Sequence, residues 1–257
     1  MVDPTNAGNG AKVLVVTGAG RGIGAACARL GARAGYEVVV NYARSRDAAL
    51  AVVAQIEKSG GRAIAVQADV SRPSEVERLF AETDARLGRV VALINNAGIG
   101  GEVRPIEEHT EETLNELFLT NVYSCIHCAS SAIRRMSPRY GGHGGVIVNI
   151  SSAAARLGSP GEYVDYAASK GAIDTMTIGL AKEVATEGIR VVGIRPGLID
   201  TDIHESQGAI GRLARLAPQI PVERAGTAEE VAQVAMWMIG NEASYVTGTT
   251  LDVSGGR

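Results

Sequence analysis

Seven runs of apolar, largely β-branched residues recur along the chain, separated by longer stretches of helical period. They are Lys12 to Thr17 (KVLVVT), Tyr36 to Asn41 (YEVVVN), Arg62 to Ala68 (RAIAVQA), Val90 to Asn95 (VVALIN), Gly145 to Ser151 (GVIVNIS), Ile189 to Arg195 (IRVVGIR) and Thr249 to Val253 (TTLDV). Most are continuously apolar rather than alternating, so both faces of each strand require cover. That condition is met by a parallel sheet flanked by helices on both sides. Helical period fills Gly22 to Ala34, Arg46 to Ser59, Ser74 to Leu87, Glu111 to Met136, Tyr163 to Glu187 and Ala228 to Ile239. Asp69 and Ser71 offer caps before the third of these, with Pro73 suited to its first turn. The expected fold class is α/β: a doubly wound, parallel, seven-stranded sheet with helices on both faces.

Size and charge narrow the rest. A chain of 257 residues buries about 70% of its unfolded surface, enough for a core without disulfide or metal. Three cysteines, an odd number, make a poor disulfide framework. A net charge of −3 argues against nucleic acid as a partner, which needs clustered basic charge. No apolar run approaches the roughly 18 residues of a membrane span. Residues 1–10 (MVDPTNAGNG) lack the regions of a secretory signal and read as a disordered tail. A cytoplasmic protein is expected. Without a repeat or linker, residues 11–257 form a single domain.

Directly after the first strand comes Thr17-Gly18-Ala19-Gly20-Arg21-Gly22-Ile23-Gly24, with a helix opening at its end. Such glycines let the backbone turn sharply and approach a pyrophosphate, while the helix N-terminus supplies unpaired N–H groups and a positive dipole end. A dinucleotide is the expected ligand, on a Rossmann fold; a Gly-rich turn without ligand is the alternative. The glycines fall as Gly-x-x-x-Gly-x-Gly at Gly18, Gly22 and Gly24, not as the commoner Gly-x-Gly-x-x-Gly. Asn95-Asn96-Ala97-Gly98 follows the fourth strand, and Tyr166-x-x-x-Lys170 and Pro196-Gly197 come later.

In these motifs and their order, from Lys12 to Gly256, the sequence resembles the short-chain dehydrogenase/reductase family. Gly145 to Gly171 and the ending YVTGTTLDVSGG are similar to bacterial sugar-dehydrogenase-like members. The resemblance implies that Gly18, Arg21, Gly22, Ile23 and Gly24 border the cofactor and that Asp69 and Val70 meet its adenine. It sets Asn95, Ala97 and Gly98 along the ribose side, and Pro196, Gly197, Ile199 and Thr201 around the nicotinamide. Asp69 has the alternative of capping a helix, and Pro196-Gly197 of ending a strand. The resemblance also implies a homotetramer, paired through the helices at 111–136 and 163–187 and near the last strand.

For chemistry, a hydride donor or acceptor needs a partner for the proton of the alcohol or carbonyl, and Tyr166 is the candidate. Lys170, four positions on, lies on nearly the same helix face. One ammonium about 4 Å from a phenol, at an effective dielectric near 20, supplies roughly 4 kcal/mol toward ionisation. By resemblance Ser152 polarises the substrate oxygen, with Ser151 as competitor, and Asn121 holds a water leading from the lysine to solvent. Tyr163 has no lysine four residues on and is expected to line the pocket or simply to pack. Cys125-Ile126-His127-Cys128 has redox or metal spacing but sits in a helix without a second ligand pair, so buried thiols and no metal are expected. His109, His143 and His204 are scattered. Residues 202–225 are expected to form the substrate loop.

The second strand ends in Asn41-Tyr42-Ala43-Arg44-Ser45, where NAD sites of this fold place a carboxylate. The next acid, Asp47, belongs to the following helix. Arg44, Arg21 and Ser45 suit the 2′-phosphate of NADP, so Asn41, Arg44 and Ser45 join the cofactor-binding set. NADP(H) is the expected cofactor, with NAD(H) possible. Function follows as hydride transfer between NADP(H) and a small-molecule secondary alcohol or carbonyl. A non-catalytic nucleotide sensor on the same fold is the alternative.

Overall fold

The computed structural model describes residues 12–201 and 211–257. The expected tail at 1–10, and residues 202–210 of the expected substrate loop with His204, lie outside the described residues.

All seven expected strands form: β1 (Val13–Val16), β2 (Glu37–Tyr42), β3 (Ala63–Gln67), β4 (Val90–Asn95), β5 (Gly145–Ile150), β6 (Ile189–Pro196) and, after two short strands, β9 (Thr250–Val253). They pair in parallel in the order β3-β2-β1-β4-β5-β6-β9. The short strands, β7 (Ile199–Asp200) and β8 (Gly226–Thr227), make a separate parallel ribbon. Connecting helices are α1 (Gly22–Arg33), α2 (Arg46–Lys58), α3 (Pro73–Arg86), α4 (Glu111–Phe118), α5 (Ser124–Met136), α6 (Ala154–Leu157), α7 (Val164–Val184), α8 (Arg212–Leu216) and α9 (Ala228–Ile239).

The continuous apolar runs are explained by two cores. Because side chains alternate along a strand, Leu14, Val16, Val38, Val40, Ile94 and Val148 pack beneath α1, α2 and α9. Val13, Val15, Val39, Leu93 and Ile147 pack on the other face, against α3, α5 and α7. Each fully buried Leu or Ile contributes about 1.5–3 kcal/mol. At Gly31 a Cβ would lie 2.4 Å from Leu14 Cδ2, so a larger residue there would have to displace the buried Leu14 side chain between α1 and β1. Among the described residues no helix is long and apolar enough to cross a membrane.

Two expectations are corrected. Neither Asp69 nor Ser71 caps the third helix: Arg72 holds the cap position, without a side-chain cap bond. Asp69 Oδ1 instead accepts from the Ser71 N–H (3.1 Å) and hydroxyl (2.7 Å), closing a local turn. The helix expected over Glu111 to Met136 is interrupted by a π-type turn at Leu119–Tyr123. Such turns widen the helix and commonly mark functional positions, and this one carries Asn121.

The strand order reverses between β1 and β4, so the loops leaving their C-terminal ends diverge and open a crevice.

Candidate active site

The crevice is a cleft of about 850 Å³, running from Asp69 and Val70, past Gly18 and Arg21, to Ser152, Tyr166 and Lys170. Its two banks are cross-braced. Thr17 Oγ1 accepts from the N–H groups of Asn96 (2.9 Å) and Ala97 (3.0 Å), and Asn96 Nδ2 donates to the carbonyls of Thr17 (3.0 Å) and Gly18 (3.1 Å). Gly18 and Gly22 have φ of +61° and +53°, the left-handed region that glycine adopts without strain. Arg21, at the α1 cap position, makes no side-chain cap bond, so the first N–H groups of α1 open onto the cleft.

Most of the expected cofactor set lines this cleft: Gly18, Arg21, Gly22, Ile23, Asn41, Arg44, Ser45, Asp69, Val70, Ala97, Gly98, Pro196, Gly197, Ile199 and Thr201. Thr201 overhangs the loop, its Cγ2 lying 3.4 Å from where a Gly22 Cβ would stand. Gly24 does not line the cleft. A Cβ there would lie 2.5 Å from Asn96 Nδ2 and 2.6 Å from the Gly18 carbonyl oxygen, so this glycine serves loop packing.

Asn95 is likewise turned away: its Nδ2 donates to Asn149 Oδ1 at 2.9 Å within the core, and Asn96 takes the position facing the loop. Alternation carried one residue past β4 is the signal that would have found it. Asn41 lines the cleft but spends its amide on the scaffold. Its Oδ1 accepts from the Gly18 N–H (3.2 Å), and its Nδ2 donates to the carbonyls of Val66 (3.3 Å) and Ala68 (3.1 Å). Arg21 and Arg44 are exposed at the loop, and neither forms an ion pair among the described residues.

At the far end, Ser151 and Ser152 separate by direction. Ser151 Oγ is buried and donates to the Lys170 carbonyl at 3.1 Å. Ser152 Oγ accepts from the Ala154 N–H at 3.1 Å, which leaves its own proton for a ligand in the cleft. Lys170 is 5% exposed. Its Nζ donates to the Ile150 carbonyl at 2.9 Å and lies 5.7 Å from the Tyr166 ring centre. An ammonium has three donors, so two remain. Tyr163 is buried and packs edge-on against Tyr166, ring centres 6.5 Å apart at 70°; it also lines the cleft.

Asn121 is buried behind Lys170. Its Oδ1 accepts from the Ile99 N–H (2.8 Å), while its Nδ2 donates to the Ile99 carbonyl (2.9 Å) and to Ser169 Oγ (3.1 Å). One Oδ1 lone pair is left over. Ile99 and Ser169 were not singled out by the sequence, because their role is to hold Asn121 from distant elements. A Cβ on Gly98 would meet Asn121 Oδ1 at 3.1 Å and Lys170 Nζ at 3.5 Å, so both groups converge where the motif ends in glycine.

The cysteines are all free and buried. Burial pushes the Cys27 and Cys125 thiols up to about 12 and the Cys128 thiol higher still. Among the described residues no group of His, Cys, Asp and Glu is arranged to hold a metal.

Comparison with known proteins agrees with this geometry. The family model described as Enoyl-(Acyl carrier protein) reductase matches residues 18–257. The oxidoreductase YgfF of Escherichia coli K12 is 49% identical over 245 residues, covering 95% of this chain and 99% of that protein. A 3-oxoacyl-[acyl-carrier-protein] reductase of Synechocystis is 39% identical, covering 96% of each chain. Among solved structures, a short chain dehydrogenase of Burkholderia cenocepacia in complex with NADP superposes with a TM-score of 0.85 at 34% identity, covering 95% of this chain and 97% of that one.

Proposed function

The chain belongs to the short-chain dehydrogenase/reductase family, and on that footing we propose that it interconverts a carbonyl and its secondary alcohol with NADP(H). One observation carries the reading: a single cleft holds an open helix N-terminus beneath a glycine-rich loop at one end and Ser152, Tyr166 and Lys170 at the other. The residues fit a dinucleotide. A side chain at Gly18 would put its Cβ 3.0 Å from Ala97 Cα, so the cradle exists only because no Cβ stands there.

When bound, the nicotinamide supplies or accepts the hydride. The Ser152 hydroxyl donates to the carbonyl oxygen and fixes its direction. Tyr166 gives that oxygen its proton during reduction and recovers it during oxidation. Lys170 turns its two remaining N–H groups to the Tyr166 hydroxyl and the ribose, and the spare lone pair of Asn121 holds a water through which the lysine meets solvent. Asp69 and Val70 flank the adenine.

Absence of a carboxylate at the end of β2, together with exposed Arg21 and Arg44 that form no ion pair among the described residues, supports a 2′-phosphate and hence NADP(H) over NAD(H). Charge-assisted hydrogen bonds contribute about 1.5–3 kcal/mol each, tenfold or more in affinity. Accordingly kcat/KM for NADPH exceeds that for NADH, and Arg21→Ala with Arg44→Ala brings the ratio near unity. An unchanged ratio in the double variant would contradict the assignment. Among carbonyls to assay, 3-oxoacyl thioesters come first, from the name of the Synechocystis relative; steroids, sugars and small ketones complete the panel. Tight NADPH binding with turnover of none of them would overturn the enzymatic reading.

Assembly as a homotetramer in the cytoplasm completes the proposal. In its support, Leu119, Tyr123 and Ile126 beside and within α5, Ile178 on α7, and Trp237, Tyr245 and Leu251 near the last strand are exposed apolar residues. Light scattering should return the mass of four chains, and a monomer mass would refute it.

A further inference from the structure

Asp165, the residue before Tyr166, is buried in the first turn of α7 and faces His109, which lies just before the Thr110 cap of α4. Asp165 Oδ2 lies 3.5 Å from His109 Nδ1, and both side chains are 2% exposed. Among the described residues, neither ring nitrogen of His109 nor the other Asp165 oxygen has a hydrogen-bond partner. Buried polar atoms are nearly always satisfied, so such a group calls for a reason. Nothing in the proton path through Ser152, Tyr166 and Lys170 uses this pair.

Its position supplies one. Ile99, Gly100, Gly101 and Glu102 line the cleft, and polar side chains hold both ends of the segment 99–109 to α7. At the start, Asn121 clamps Ile99 to Ser169 with hydrogen bonds of 2.8, 2.9 and 3.1 Å. At the end stands the His109–Asp165 pair. Between them Gly101, at φ +73°, lies so near that a Cβ would be 3.2 Å from Asp165 Oδ2, and the Arg104 N–H donates to the Glu162 carbonyl at 3.2 Å. Tyr166 sits on α7 between the two clamps. The first clamp is closed, whereas the second, at 3.5 Å, is in contact without hydrogen-bond geometry. Hydrogen bonds that serve catalysis are commonly long without ligand and tighten in the complex.

We propose that His109 and Asp165 are a positioning pair, closing to a hydrogen bond when NADPH binds and drawing the segment 99–109, whose first four residues line the cleft, onto the first turn of α7, so that Tyr166 is held over the carbonyl. The proposal rests on the reading of Tyr166 as proton carrier. Both residues act through Tyr166 and this segment, and neither meets the reacting atoms.

Two sets of variants and one spectroscopic measurement test it. His109→Leu and Asp165→Ala each remove a partner, while His109→Asn and Asp165→Asn keep a hydrogen-bonding group of similar reach. The removal variants should lower kcat about tenfold or more, as small misplacements of reacting groups do, with NADPH affinity falling less, by a few fold, the worth of the one hydrogen bond that closes on binding. The asparagine variants should recover at least half of the lost kcat, and the double removal should be no worse than either single one. Normal kcat in a folded removal variant, affinity falling in step with kcat, or no recovery in the asparagine variants would overturn the pair. Independently of turnover, the chain has four histidines, so imidazole nitrogen-15 spectra resolve them. Added NADPH should move the His109 Nδ1 signal to that of a hydrogen-bonded nitrogen, and an unmoved signal overturns the proposal even if no removal variant folds. A wild type inactive on every carbonyl sinks the enzymatic reading alone, and the His109 signal then decides the clamp.

Discussion

Tyr166→Phe should abolish nearly all carbonyl turnover, a loss of about 10²- to 10⁴-fold in kcat, the usual range for a positioned acid/base. NADPH affinity should stay within a few fold. Phenylalanine preserves the edge-on contact with Tyr163 at 6.5 Å and the ring face 5.7 Å from Lys170 Nζ, and deletes only the hydroxyl. Steady-state kinetics paired with a fluorescence titration of NADPH separates the two quantities. Retained turnover would move the proton to Tyr163, the phenol that packs edge-on against Tyr166 and also lines the cleft.

Lys170→Met should damage both steps. Methionine fills the buried stem, yet the ammonium bonded to the Ile150 carbonyl at 2.9 Å disappears. With it go the two donors assigned to the Tyr166 hydroxyl and the cofactor ribose. A charge-assisted bond of about 1.5–3 kcal/mol corresponds to a rise of roughly 10- to 150-fold in the NADPH dissociation constant, alongside a kcat lowered toward that of Tyr166→Phe. Affinity equal to wild type would contradict the shared role, because the same nitrogen could not then be serving the ribose. A single titration of the variant therefore distinguishes a lysine that serves only the tyrosine from one that serves both.

The central strands were legible because burial on both faces writes itself into every residue of a run. KVLVVT became β1 at Val13–Val16, and GVIVNIS became β5 at Gly145–Ile150. The glycine loop was legible because positive φ at Gly18 and Gly22 is a backbone demand that few other residues meet. Tyr166 and Lys170 were legible because helical period alone puts residues four apart on one face. Ser152 over Ser151 was expected from its place in the motif, and the Lys170 carbonyl that engages Ser151 supports that choice.

Other features depended on partners far away in the chain. The π turn around Asn121 interrupts an otherwise helical pattern at a side chain bonded to Ile99 and Ser169, 22 and 48 residues distant. Asn95 and Asn96 are chemically identical, and the pairing of β4 between β1 and β5 decides which one turns inward to Asn149. Strands β7 and β8 are two residues each, too short to carry any period, and exist because Ile199 meets Gly226.

Local demands, then, were settled by the amino-acid sequence itself: which segments become strands, where the backbone must turn through positive φ, and which side chains share a helix face. Each depends on φ/ψ preference or on a period of 2 or 3.6, which neighbours along the chain suffice to express. Tertiary structure alone decided which groups remain free to act. Whether Ser152 keeps its proton, Asn121 a lone pair, or His109 an unpartnered nitrogen beside Asp165 depends on what distant segments place within about 3 Å, the reach of a hydrogen bond, and local propensity carries no record of that.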